Sequence, residues 1–188
     1  MSYVPTPKKA YEILEKYDSD AFHRSHGLIV GGVMGYFAAK SGEDVNYWKA
    51  VGTLHDVDFG LYPNEHCVAC MKIFADEDID LEFATSCASH GYGICEGAPE
   101  PTKHMEKILF ACDELTGLIG AAARMRPSKS VSDMELSSLK KKFKDKKFAA
   151  GCSRDTIKLG AENLGMTIDE LLLETLDGMK SLVEELGV

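Results

Sequence analysis

Apolar residues recur at intervals of three and four along most of the chain, and no segment shows the alternation of period two that a half-buried strand requires. The pattern predicts an all-α protein. Ala10 to Tyr17 form a first amphipathic segment, with Ile13 and Leu14 on its apolar side. A second helix is expected from near His26 through Leu28, Ile29, Val33, Met34, Phe37 and Ala38 to Ser41-Gly42. Its glycines Gly31, Gly32 and Gly35 lower helix propensity but allow a neighbour close approach. Asp44 is a suitable N-cap for a third helix, whose stripe Tyr47, Trp48, Val51 and Leu54 carries His55 to its C-terminal end. Further helices are expected from about Asn64 to Ala75, from Asp80 to His90, and from Thr102 to about Met125, ahead of Pro127.

Between these segments, residues 91–101 hold three glycines and two prolines, so a loop is expected there. Beyond Pro127 a lysine-rich helix capped by Ser132 or Asp133 is expected. A final helix opens on Thr167-Ile168-Asp169-Glu170, a capping-box pattern, and carries Leu171, Leu172, Thr175, Leu176, Met179 and Leu182. The chain has no internal repeat or low-complexity linker, and its 188 residues fit one domain.

Composition narrows the functional classes. A net charge of −9 disfavours nucleic-acid polymers and anionic membrane surfaces as partners, although a local basic patch could still hold a small phosphorylated ligand. No apolar run approaches the roughly 20 residues of a membrane span, and the N-terminal residues lack a signal-peptide core, so a cytoplasmic location is expected. The six cysteines are then expected to be reduced. Cys67 and Cys70 have the spacing of a redox or zinc motif, but no second close pair completes it. Small apolar packing residues on a helix is the plainer reading for both.

The candidate chemistry lies in the order His26, His55-Asp56, His66, His90, Asp113. Imidazole and carboxylate without thiolate suit iron, manganese, cobalt, nickel or zinc better than magnesium. Most of the intervals fit one helix plus its turn, so each residue can project from a successive helix into a common interior. His55 and Asp56 differ. Adjacent helical residues point about 100° apart, so the pair must straddle a metal at a helix end or let the carboxylate reach toward a second ion. The turn formers Gly60 and Pro63 follow soon after. His23 shares a helical face with His26 and is its rival for the first position; His104 reads as structural.

His26, Leu54-His55-Asp56 and Ala111-Cys112-Asp113 together resemble the defining pattern of the HD superfamily of metal-dependent phosphohydrolases. With His66 and His90, and with Met105-Glu106-Lys107-Ile108 before the last Asp, the chain is similar to the six-ligand, dinuclear variant. Segments from Asp113 onward look like a group of small single-domain HD proteins, and the likeness covers roughly residues 10–188. The resemblance implies a helical metal-binding core at about 20–126 with a C-terminal helical extension at about 127–188. It also implies one or two divalent transition-metal ions. His26, His55, Asp56 and Asp113 would hold the first, and Asp56 would bridge to a second held by His66 and His90. In a one-metal version His66 and His90 would contact phosphate or move a proton.

The activity this implies is hydrolysis of a phosphate ester or anhydride in a nucleotide or other small phosphorylated metabolite. The chain lacks the Gly-Tyr-Pro signature of the cyclic-dinucleotide enzymes, and Val57-Asp58 follows its His-Asp pair, so the substrate does not carry over. The same ligand set supports dinuclear iron oxygenases, and a regulatory nucleotide-binding module is a third alternative. A homodimer is compatible with all three. Lys103, Lys107, Arg124, Arg126 and Arg154 are candidate phosphate contacts; Asp58, Glu65 and Glu114 are candidate acids or bases. Each has a plainer reading as a solvated or helix-end charge.

Overall fold

Ten α-helices and no sheet make up the structure, a computed structural model that describes residues 1–188. They are α1 (Pro7–Tyr17), α2 (Ala21–Ser41), α3 (Val45–Leu54), α4 (Ala69–Asp76), α5 (Leu81–Ala88), α6 (His104–Arg124), α7 (Leu136–Lys144), α8 (Arg154–Leu164), α9 (Ile168–Lys180) and α10 (Val183–Leu186). Extended pairing is confined to one isolated bridge between Tyr3 and Ile79. No helix is long and apolar enough to cross a membrane. Residues 1–110 form one packed unit and residues 111–188 a second, with α6 running through the boundary.

Local chemistry sets most of the helix ends in the first unit. Thr6, Asp20, Asp44 and Asp80 each accept a backbone N–H from the first turn of α1, α2, α3 and α5, satisfying donors that have no partner inside the helix. Gly42, left-handed at φ 71°, closes α2. The start of α2 lies earlier than the apolar stripe suggests, because Asp20 caps it before the stripe begins.

Backbone proximity holds α2 against α3. A Cβ on Gly31 would stand 2.4 Å from Thr53 Oγ1 and 2.8 Å from the Lys49 carbonyl, and a Cβ on Gly52 would stand 2.8 Å from Gly31 Cα. Gly27 and Gly35 continue the same face of α2, four residues to either side, whereas the sequence suggested Gly32 as part of it. Side chains of Val30, Val33, Met34, Val51 and Leu54 fill the surrounding core, each worth roughly 1.5–3 kcal/mol when fully buried. The crossing brings the N-terminal half of α2, with His26, beside the C-terminal end of α3, with His55.

In the second unit α9 packs against α7 and α8. Gly160 of α8 lies on the Ala111 backbone, where a Cβ would come within 2.5 Å. The capping box at Thr167 and Glu170 is formed as the pattern predicts. Helix α8 is absent from the sequence expectation, since its polar residues obscure a stripe of only Ile157, Gly160 and Ala161. Helix α7 starts at Leu136 with Glu135 at its cap position, not Ser132 or Asp133. Asp133 instead accepts from Arg126 Nε and Ser128 Oγ at 2.8 Å each.

Candidate metal centre

Helix α3 stops at Leu54, and the chain continues through tight turns in which Val57, Phe59 and Leu61 N–H groups reach the carbonyls of Leu54, Asp56 and Asp58. His55 and Asp56 therefore stand at a helix end, one of the two arrangements that adjacency permits. Gly60 is required here. A side chain on it would run into the buried Asp18 carboxylate, whose Cγ lies 2.6 Å from the Cβ position.

Four imidazoles surround Asp56. Its Oδ2 is 3.2 Å from His55 Nε2 and 3.8 Å from His26 Nε2, while its Oδ1 is 3.1 Å from His90 Nε2 and 3.3 Å from His66 Nε2. These approaches do not satisfy the carboxylate. Oδ1 is buried without a hydrogen bond. An orphaned buried carboxylate oxygen is costly unless a cation completes it.

The outer nitrogens explain the orientation of the rings. His55 Nδ1 lies 2.8 Å from the Gly52 carbonyl and His90 Nδ1 lies 2.7 Å from the Cys87 carbonyl. A carbonyl only accepts, so Nδ1 carries the proton in both rings and Nε2 of the neutral ring presents a lone pair inward. His66 Nδ1 is 2.8 Å from Asp58 Oδ1, and Asp58 Oδ2 takes the Cys70 N–H at 2.8 Å. Metal-binding histidines are commonly held this way, by a carbonyl or carboxylate behind the ring. His66 and His90 Nε2 meet at 3.2 Å, a separation that a shared proton or a cation bound by both rings accommodates.

The electrostatics agree. Burial opposes charge on both rings, yet the Asp56 carboxylate holds His66 and His90 above the ordinary imidazole value, with help from Asp58 at His66 and from Cys67 at His90. Burial likewise pushes the Asp56 carboxyl up, but His55, His66 and His90 outweigh it and hold that group well below its usual range. The pocket selects positive charge beside a carboxylate, whether the carrier is a proton or a metal ion.

His26, His55 and Asp56 each offer a ligand atom within 4.8 Å of the others, and so do His66, His90 and Cys67. Asp113 sits half-buried in the middle of α6, in the second unit. His23 lies outside the cluster of Nε2 atoms around Asp56, with Nδ1 3.0 Å from Asp18 Oδ2, and His104 packs edge-on to Trp48.

Several other candidates take different roles from those expected. Asp58 is fully buried behind His66 and orients that ring, so it is unsuited to act as an acid or base on a substrate. The Arg154 guanidinium donates to the carbonyls of Lys142, Phe143, Asp145, Phe148, Ala149 and Cys152 and ties the loop before α8, leaving no face for phosphate. Arg126 pairs with Asp133, Lys103 with Glu82, and Glu114 accepts the Ser153 N–H.

Cys67 is the residue whose placement the sequence reading did not anticipate. Residues 64–68 are turns rather than helix, and Cys67 adopts φ 65° just before α4. Its thiol is buried, 3.5 Å from His90 Nε2. Burial pushes this thiol up, but His66 and His90 bring it down to about 6. Cys70 is a packing residue, as expected: its Sγ donates to the Cys67 carbonyl at 3.2 Å and burial raises its thiol.

No protein-family model, curated protein or solved structure matches the chain, and it stands as an all-α protein with a half-buried histidine–aspartate cluster that could hold metal.

Proposed function

We propose that the chain is an HD-type metal-dependent phosphohydrolase acting on a phosphate ester or anhydride of a nucleotide or other small phosphorylated metabolite. The observation that carries this reading is the Asp56 carboxylate, set among four imidazole Nε2 atoms with one oxygen buried and lacking a hydrogen bond. His26, His55 and Asp56, with Asp113 added from the order of the motif, are the ligands assigned to a first cation. Asp56, His66 and His90 would hold a second. Borderline divalent ions fit this donor set, with iron, manganese, cobalt, nickel and zinc ahead of magnesium.

Bound cations supply charge to the phosphoryl oxygens and acidify a bound water. The protein's part is to fix the donors. Gly52, Cys87 and Asp58 hold three rings from behind, so little reorganisation is needed when a cation enters. A groove of about 440 Å³ reaches His66 between the turn at Pro63–Glu65 and the loop carrying Ile94 and Cys95, a size suited to a small metabolite. Glu65 and Glu96 line it and no lysine or arginine does, so a phosphate is repelled there until the cage carries positive charge.

Element analysis of protein purified without added metal, joined to a phosphate-release screen over mono- and diesters and anhydrides, tests the proposal. Metal is expected to co-purify, and Asp56→Ala and Asp113→Ala are each expected to abolish release with helical content retained. A metal-free preparation that cannot be reconstituted and releases no phosphate overturns it. Redox-dependent iron spectra with oxygen consumption would replace it with the oxygenase reading.

A further inference from the structure

The second cation position carries a donor that the imidazole–carboxylate reading leaves out. His66 Nε2, His90 Nε2 and Cys67 Sγ lie within 4.8 Å of one another. The separations can be compared with those a tetrahedral cation imposes: bonds of about 2.0–2.1 Å to nitrogen and about 2.3 Å to sulfur give about 3.3 Å between two nitrogens and about 3.5 Å between nitrogen and sulfur. His66 and His90 Nε2 are 3.2 Å apart, and His90 Nε2 is 3.5 Å from Cys67 Sγ. Asp56 Oδ1, 3.3 and 3.1 Å from the same two nitrogens, falls at the spacing of a fourth donor.

The turn before α4 places the sulfur there. Cys67 holds the left-handed φ of 65°, a conformation that costs a non-glycine residue about 1–2 kcal/mol. Gly91, directly after His90, leaves the sulfur its space: a Cβ there would come 2.3 Å from Cys67 Sγ and 3.1 Å from Cys95 Sγ. Cys95 donates its S–H to Cys67 Sγ at 3.1 Å, so the Cys67 sulfur is set up as an acceptor, the role of a ligating thiolate. The loop returns Cys95 to this point through hydrogen bonds from Ile94 and Cys95 N–H to the Gly91 carbonyl.

We propose that the second cation position is a mixed imidazole–thiolate site in which His66, His90 and Cys67 hold a zinc-class ion and share the Asp56 carboxylate with the first position. This rests on the metal-binding reading above and refines it. The two positions become chemically distinct, since a thiolate selects zinc or cobalt over the harder manganese or magnesium.

Loading the metal-free full-length chain with cobalt(II) provides the test. A sulfur-to-cobalt charge-transfer band in the near ultraviolet is expected. It should disappear in Cys67→Gly together with binding of the second equivalent, and persist in Cys95→Ala. Cys67→Gly suits the backbone conformation, so it is expected to fold, as circular dichroism will record. Cobalt bound with ligand-field bands but no sulfur band overturns the thiolate site and leaves the metal reading standing. A band that follows Cys95 instead of Cys67 also overturns it. Failure to retain any cobalt or zinc sinks both readings.

Discussion

Two carboxylates of the first unit, Glu106 buried and Asp56 half-buried with its Oδ1 out of solvent, have opposite surroundings. Glu106 is 3 % exposed and fully satisfied: Ser86 Oγ donates to Oε1 at 2.7 Å, and the Thr102 and Lys103 N–H groups donate to Oε2 at 2.9 and 3.0 Å. Asp56 has imidazole nitrogens nearby on both oxygens, yet Oδ1 accepts no hydrogen bond. The first acid is explained by the fold alone, since it ties the start of α6 to α5. The second is the acid that the metal-binding proposal accounts for. Buried polar groups in folded proteins are nearly always partnered, so the contrast sets a structural acid apart from a candidate ligand.

Breaking the comparison at Asp56 should have the largest effect. Asp56→Ala is expected to abolish metal retention and phosphate release while leaving helical content intact, read by element analysis and circular dichroism. A variant that keeps full metal would remove Asp56 from the centre. The next effect down concerns the group behind a ring. Asp58→Asn removes the carboxylate that orients His66, and metal affinity should fall about 10–100-fold, the usual cost of losing such support. Competition against a metallochromic chelator measures it.

Glu106 should respond in the other currency, stability. Glu106→Ala strands Ser86, Thr102 and Lys103 and is expected to lower unfolding free energy by about 1–3 kcal/mol, with metal per chain unchanged. Denaturant unfolding beside element analysis distinguishes the two outcomes. The smallest effect is one of pH. Burial raises the Glu106 carboxyl, but the Lys103 and Thr102 N–H groups and the Ser86 hydroxyl outweigh it and hold the group below its ordinary 4.5. A lowered folded value means that its stabilisation is complete above about pH 4.5 and is lost as the pH falls through the folded value. Glu106→Gln should flatten that part of the stability curve, measured as unfolding midpoints on either side of pH 4.5.

Helices with strong local signals are legible in the sequence. The capping box at Thr167, the Asp44 cap and the stripe from Tyr47 to Leu54 each depend on residues within a few positions of one another. Where turns compete with helix propensity, the sequence signal is ambiguous. The segment 64–68 has apolar and small residues that suit a helix, but the Glu65 carbonyl is taken by the Val68 and Ala69 N–H groups in turns and α4 begins only at Ala69. That shift of a few residues turns Cys67 from helix-face packing into a neighbour of His90.

The order of imidazoles and carboxylates, the helix caps and the absence of strand periodicity belong to the amino-acid sequence by itself, because each is a matter of residue type and short spacing. Tertiary structure alone decided that the Asp56 oxygens face four imidazoles, that Asp58 stands behind His66, that Arg154 spends its donors on backbone carbonyls, and that the Cys67 sulfur lies beside His90. Those relations join residues across turns and between helices. They depend on where close backbone contacts such as Gly31 on Gly52 bring the helices together, and no local pattern encodes such distances.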